Sequence, residues 1–281
     1  MTSNSAEKRA AWRSILIFLV ILTLISAVWH FAIVGLAPVS IYVGALMWAP
    51  ALAGFFTLKL RGRRLSELPW SVGNWRDNAT SYLVPTVYVA VSYAIAWGLG
   101  FGGAFNAETI AEWAAELGLS SAPVWGAVLM VLLFATVQFS KSLGTIAGEE
   151  IGWRGFFIWE LRKVLPFEGV ALVSGLIWSA WHYPIVIKYG FGDPLFQVFC
   201  FTLMITSMSV IMAYFTFRSN SLWPGVMFHG AHNIYIQKIF SPLTTRNEHT
   251  QFWIDEYGLM VPLIVTLMAV YFWRRAKAEG L

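Results

Sequence analysis

The chain of 281 residues carries little charge and only one cysteine. Charged residues make up 12% of it, against about 25% in a soluble globular domain, while 58% of its residues are hydrophobic. The single cysteine, Cys200, excludes an internal disulfide and any metal site made of several thiolates. A chain with so few charges must be solvated by lipid. We therefore expect an integral membrane protein that is embedded in a lipid bilayer.

Apolar runs close to 20 residues long recur along the whole chain. Each is long enough to cross ~30 Å of hydrocarbon as a helix. We predict eight spans, at residues 14–36, 38–58, 79–104, 123–147, 168–190, 195–217, 222–240 and 257–274. No internal repeat or low-complexity tract interrupts them. The prediction is therefore an all-α polytopic membrane helix bundle, a single domain over residues 1–281, whose helices enclose a polar cavity.

The Lys and Arg residues are concentrated in the connections on one side of the membrane and do not form a patch for nucleic acid. With a cytoplasmic N-terminus and eight spans, every Lys and Arg falls on the cytoplasmic side except Lys141, Lys188, Lys238 and Arg246. This bias obeys the positive-inside rule. We therefore predict that both termini are cytoplasmic, that the host membrane is a prokaryotic plasma membrane, and that nucleic acid is not a partner.

Three charges interrupt the apolar pattern in the run Gly148–Arg154. A charge at the bilayer centre costs about 2.5 to 3.5 kcal/mol on insertion scales, so it calls for a functional or paired role. Glu150 and Arg154 stand one helical turn apart and share a face, whereas Glu149 is rotated by about 100°. We predict that Glu150 pairs with Arg154 and that Glu149 faces a cavity as a general base. The alternative is a cytoplasmic helix end with solvated charges.

Two later spans carry histidines. His182 stands two residues before Pro184, which frees a backbone carbonyl and opens a niche in the helix. His229 and Asn233 are one turn apart and project from one face of the seventh span. The alternative for His182 is a hydrogen bond to a neighbouring helix, and for His232 we favour packing.

The three motifs read E-E-x-x-x-R, W-x-x-x-H and H-x-x-x-N, at residues 149–154, 178–182 and 229–233. In order, spacing and placement on membrane helices they resemble the CPBP family of intramembrane endopeptidases, which includes the type II CAAX prenyl proteases. The region that carries them, about residues 125–240, corresponds to the conserved domain of that family. The resemblance implies an intramembrane protease that needs no cofactor.

The resemblance also implies a role for each matching residue. Glu149 would activate a water that His182 helps to polarise, and His229 and Asn233 would bind the oxyanion. Glu150 and Arg154 would be structural or orienting. We expect cleavage of a peptide or membrane protein that is lipid-associated or prenylated, with access from the cytoplasmic leaflet.

The second motif departs from the family, which usually has Phe where this chain has Trp178. The larger ring narrows the space beside it, so we take Trp178 and Trp153 as candidates for the substrate pocket. The substrate preference of the family is therefore not carried over to this chain.

Other functions remain open at the level of sequence. Glu149, His182 and His229 offer three ligands for a catalytic zinc, although the chain has no H-E-x-x-H helix. A membrane scaffold or immunity protein would keep the same polar groups for packing or partner binding. A proton-relaying transporter is a further class, and the absence of paired broken helices in two halves counts against it.

Overall fold

The computed structural model describes residues 5–190 and 192–281, and their regular structure is helical. The α-helices are Ser5–Phe31 (α1), Ser40–Leu60 (α2), Trp75–Gly98 (α3), Ala107–Glu116 (α4), Pro123–Leu133 (α5), Phe139–Glu150 (α6), Ile158–Arg162 (α7), Phe167–Tyr189 (α8), Pro194–Ser219 (α9), Trp223–Asn233 (α10), Thr250–Trp253 (α11) and Met260–Ala278 (α12). π-Helical turns extend or join several of them, at Ala32–Leu36, Phe134–Gln138, Ile151–Phe157 and Ile234–Phe240, and Leu65–Glu67 is a 3-10 turn.

Six helical stretches in the described chain are long and apolar enough to cross a membrane. They are Ser5–Leu36, Ser40–Leu60, Trp75–Gly98, Pro123–Arg162, Phe167–Tyr189 and Pro194–Ser219. The predicted all-α polytopic bundle is confirmed, while the number of eight spans stays a prediction. The predicted seventh and eighth spans are helical over most of their length. The seventh carries His229, His232, Asn233, Gln237 and Lys238, and α12 ends with Arg274, Arg275 and Lys277, so neither is among the six.

The fourth span is longer than predicted, because the helix runs on from 147 to Arg162. α6 passes directly into the π-helical turn Ile151–Phe157 and then into α7. The acidic pair therefore lies inside a continuous helix and not at a solvated helix end. Single π-helical turns of this kind often occur at functional sites.

Two glycines on α6 and the following turn allow α2 to approach closely. A Cβ added to Gly152 would lie 2.3 Å from the carbonyl carbon of Pro50, and one added to Gly148 would lie 2.9 Å from the carbonyl oxygen of Met47. Small residues four apart are a common means of bringing membrane helices together. Glu149 lies between these two glycines in the sequence. The close contact between α6 and α2 therefore holds Glu149 near α2.

The bundle has two chemically different ends. One, which we call the basic end, contains the connections 61–74, 163–166 and 220–222 and the end of α12. There Glu160 accepts from both Arg63, at 2.7 Å, and Lys163, at 2.6 Å. The other, which we call the opposite end, contains the connections 99–106 and 241–259, joined by an antiparallel bridge between Gly103 and Thr245.

Candidate active site

A cavity of about 250 Å³ lies among α2, α6, α8, α9, α10 and the connection before α12. Its lining includes Glu149, His182, His229 and Asn233, the four residues for which the sequence suggested catalytic roles. Trp178 lines it as well, and apolar side chains of α8 and α9 form much of the remaining wall. Residues from three separate motifs thus reach one space inside the bundle.

Glu149 lies on α6 and is only 3% exposed. The indole N–H of Trp178 donates to its Oε2 atom over 3.1 Å. None of the groups in residues 5–190 and 192–281 donates to its Oε1 atom. Glu149 therefore has one carboxylate oxygen held in place and a second that is available to a molecule in the cavity.

His182 lies on α8, one turn after Trp178. Its Nδ1 atom is 2.9 Å from the backbone carbonyl oxygen of Trp178. Because a carbonyl oxygen only accepts, Nδ1 carries the hydrogen and Nε2 of a neutral ring is left as an acceptor. This fixed tautomer suits a residue that holds and polarises a water.

Glu150 bonds to Arg154, as the spacing predicted, and also to His229. Arg154 Nη1 lies 3.2 Å from Glu150 Oε1, and His229 Nδ1 lies 2.9 Å from the same oxygen. Glu150 is fully buried and Arg154 is 3% exposed. The contact to His229 joins residues 79 apart in sequence, so no local pattern could have found it. The pair therefore orients the imidazole as well as neutralising a buried charge.

His229 and Asn233 lie one turn apart on α10, and both face the cavity. Since Nδ1 of His229 donates to Glu150, Nε2 is the ring nitrogen left for the cavity. The side-chain amide of Asn233 has no hydrogen bond within the part of the chain that the structure describes. The amide N–H groups are thus available to an acceptor in the cavity.

Trp178 contacts most of the site. Its ring centroid lies 5.9 Å from that of His182 and 5.3 Å from that of His229, both edge to face. The guanidinium carbon of Arg154 lies 4.0 Å from the ring centroid on the face of the indole. Trp178 is therefore both a wall of the cavity and a hydrogen-bond donor to Glu149.

Trp153, the other pocket candidate, does not line the cavity. It is 1% exposed and packs edge to face on Phe18 and Phe157, with centroids 5.8 and 5.6 Å away. The π-helical turn that begins at Ile151 directs it toward α1, into the apolar core. It is a core residue in this structure.

His232, Gln237 and Glu256 are among the cavity residues that were not assigned to the site from sequence. His232 lines the cavity while its Nδ1 atom lies 2.5 Å from the hydroxyl of Tyr88, so it packs and faces the cavity at once. Gln237 follows α10, and Glu256 lies in the connection before α12. No motif marks Glu256, because its place depends on how that connection folds over the bundle.

The cavity continues toward the opposite end, and access from the cytoplasmic leaflet stays a prediction. It shares Gln237, Glu256 and Tyr257 with a second cavity of about 320 Å³ that reaches Tyr189 and Arg246. A separate cavity at the basic end shares no lining residue with it.

The zinc alternative calls for three ligands around one point. Among the residues that the structure describes, no group of three or more His, Cys, Asp or Glu side chains is placed to hold a metal ion. Glu149, His182 and His229 instead take the hydrogen bonds given above.

Two comparisons with known proteins found similarity to prenyl proteases. A family described as "Type II CAAX prenyl endopeptidase Rce1-like" matches residues 122–235, which include all three motifs. The "CAAX prenyl protease 2" of Methanococcus maripaludis is 23% identical over 162 residues, 54% of this chain and 54% of the relative. The chain thus matches about half the length of that curated relative.

Proposed function

We propose that this chain, which its motifs and both matches support as a member of the CPBP family, is an intramembrane endopeptidase that hydrolyses a peptide bond with a water activated by Glu149. One observation carries the proposal. The available Oε1 of Glu149, the acceptor Nε2 of His182 and the unpaired amide of Asn233 all face one cavity inside a membrane bundle. Separate packing roles would have satisfied each group with its own protein partner.

The two acceptors suit the attacking water. A water that donates one O–H to Glu149 Oε1 and the other to His182 Nε2 directs a lone pair at the scissile carbonyl carbon. As the C–O bond forms, Glu149 takes a proton from the water and the carbonyl electrons move to oxygen. The same proton then passes to the leaving nitrogen as the C–N bond breaks. A positioned base of this kind contributes about 10² to 10⁴ in rate.

Donors for the oxyanion come from α10. The amide of Asn233 donates an N–H directly. His229 donates through Nε2 only as imidazolium, because Nδ1–H already bonds to Glu150, and the carboxylate of Glu150 stabilises that charge. One such donor contributes about 10² to 10³ in rate. Glu150 and Arg154 act by orienting His229.

The substrate that we propose is a lipid-associated or prenylated peptide or a membrane protein. The apolar walls that α8 and α9 give the cavity suit an apolar segment that arrives from the bilayer. The printed name of the Methanococcus relative, a CAAX prenyl protease, agrees with this substrate class. The proposed place is the plasma membrane of a prokaryote, with both termini in the cytoplasm.

The test is a search for new chain ends. Purified protein and its Glu149→Ala variant are incubated with a prenylated peptide and with a membrane-protein extract, each with and without a chelator, and cut sites are identified by mass spectrometry. We expect cuts made by the native chain alone and unchanged by chelation. Cleavage that stops on chelation and returns with zinc favours the zinc peptidase, and no cleavage of any substrate contradicts the proposal.

A further inference from the structure

Glu256 lies on a tightly held turn between α11 and α12, at the opposite end. A Cβ added to Gly258 would lie 2.3 Å from the carbonyl oxygen of Ile254, so the turn requires glycine there. Asp255 has a φ of 73°, in the left-handed region that few side chains adopt. A turn that keeps such a conformation must be held by its surroundings.

Three side chains hold Asp255 and so fix the direction of its neighbour. Arg246 Nη2 lies 2.7 Å from Asp255 Oδ2, the hydroxyl of Tyr93 lies 3.1 Å from Oδ1, and Ser241 also donates to Oδ1. Glu256, the next residue, lines the cavity. The two adjacent carboxylates therefore differ: Asp255 is paired, and Glu256 is presented to whatever occupies the cavity.

The partners of Glu256 among the described residues are a glutamine and a histidine. Gln237 Nε2 donates to its Oε1 atom over 2.8 Å, and His232 Nε2 is 3.8 Å away. Within residues 5–190 and 192–281, no Lys or Arg nitrogen lies within ion-pair distance of it. The side chain is 14% exposed, and burial raises the pKa of its carboxyl because it disfavours the charged form. A cation brought in by a ligand would relieve that penalty.

The described part of the cavity lining holds two carboxylates, Glu149 and Glu256, and no Lys or Arg. The positive charge proposed for His229 is already paired with Glu150, so it does not neutralise Glu256. Arg246 lines the second cavity, of about 320 Å³, where it pairs with Asp255. Apolar surroundings strengthen electrostatic interactions relative to water. A basic side chain of a ligand would thus be attracted to Glu256 in this cavity.

We infer that Glu256 is a specificity-determining residue that binds a Lys or Arg side chain of the substrate, on the side of the scissile bond that lies toward the opposite end. This inference rests on the proposed function. It assigns to the site cleavage near a basic residue, within an otherwise apolar segment.

The test starts from a peptide that the native chain cleaves. Each residue around the cut site is replaced in turn by Lys and by norleucine, which has a similar length and no charge, and kcat/KM is measured. At one or two positions we expect Lys to be preferred by about tenfold to a hundredfold, the range of a hydrogen bond to a charged group. Glu256→Gln keeps the shape and should remove this preference while it leaves the norleucine peptide cleaved at nearly the native rate.

Two further variants sharpen the result. Glu248→Gln removes a carboxylate at the same end whose side chain is 86% exposed, and it should leave the preference intact. Glu256→Lys should transfer the preference to a peptide with Glu at that position. Equal rates for Lys and norleucine peptides in the native chain overturn the inference, and so does equal loss on both peptides in Glu256→Gln. Failure of the native chain to cleave any peptide instead overturns the proposed function.

Discussion

At the scale of single residues, Trp178 decides how the proposed base is held. Its indole N–H is the one group among the described residues that donates to Glu149, and its ring lies against His182 and His229. A phenylalanine, usual at this position in the family that the motifs resemble, would supply the wall without the donor. The exchange therefore changes the chemistry of the base and not only the width of the pocket.

Trp178→Phe should lower kcat by about tenfold to a hundredfold, because it removes a hydrogen bond to a charged group. The matched control is Trp153→Phe, since the indole N–H of Trp153 is buried without a hydrogen-bond partner in the structure. Steady-state kinetics on one peptide, with thermal unfolding in detergent, compare the two. An unchanged kcat in Trp178→Phe, or an equal loss in both variants, would count against this role.

Glu150 and Arg154 form the second residue-scale feature. Arg154→Met leaves the buried Glu150 carboxylate without its arginine partner, which should destabilise the fold by about 3 to 5 kcal/mol. Adding Glu150→Gln removes the uncompensated charge, so the double variant should unfold at a higher temperature than Arg154→Met alone. Thermal unfolding of both variants in detergent measures this. A double variant less stable than the single one would contradict the pairing.

At the scale of helices, residue spacing predicted contacts within one helix but not contacts between helices. Four-residue spacing predicted that Glu150 meets Arg154, because periodicity alone sets which side chains share a face. It did not predict that Trp178 donates to Glu149, 29 residues earlier. Nor did it place Trp153 in the core, since the π-helical turn alters the direction of the side chains that follow Glu150. Such contacts depend on tertiary packing.

The close approach of α2 to α6 gives an element-scale prediction. Gly152→Ala should destabilise the bundle and abolish most activity, because the new methyl would overlap the backbone at Pro50. Gly144→Ala, earlier on α6, is the control, since nothing lies within 4 Å of its added Cβ. Both changes raise helix propensity by about 1 kcal/mol, so a difference between them reports the contact. Equal unfolding temperatures for the two variants would show that α2 has room to move.

At the scale of the whole molecule, the composition was enough to predict a membrane helix bundle. The placement of the Lys and Arg residues predicted that its two ends differ in charge. Hydropathy is less decisive for the last two predicted spans. His229, His232 and Asn233 line the cavity and make α10 polar. The residues of the site therefore lower the hydropathy by which this helix would be recognised as a membrane span. The direction in which the cavity opens depends on the fold of the connection 241–259, which no periodic pattern describes.

Orientation in the membrane is the prediction at this scale. Cysteine placed at Glu248, at the opposite end, should react in intact cells with a maleimide that does not cross membranes. Cysteine placed at Ser66, at the basic end, should react only after the cells are opened. Native Cys200 is buried and serves as the unlabelled background. The reverse pattern would mean that the cavity opens to the cytoplasm.

The central claim is that Glu149 activates the water that cleaves the peptide bond. Glu149→Gln tests it most directly, because the amide has nearly the same shape and lacks the basic oxygen pair. With a peptide that the native chain cleaves, we expect kcat to fall by about 10² to 10⁴ while the unfolding temperature in detergent stays within a few degrees. Cleavage by Glu149→Gln at close to the native rate would contradict the account.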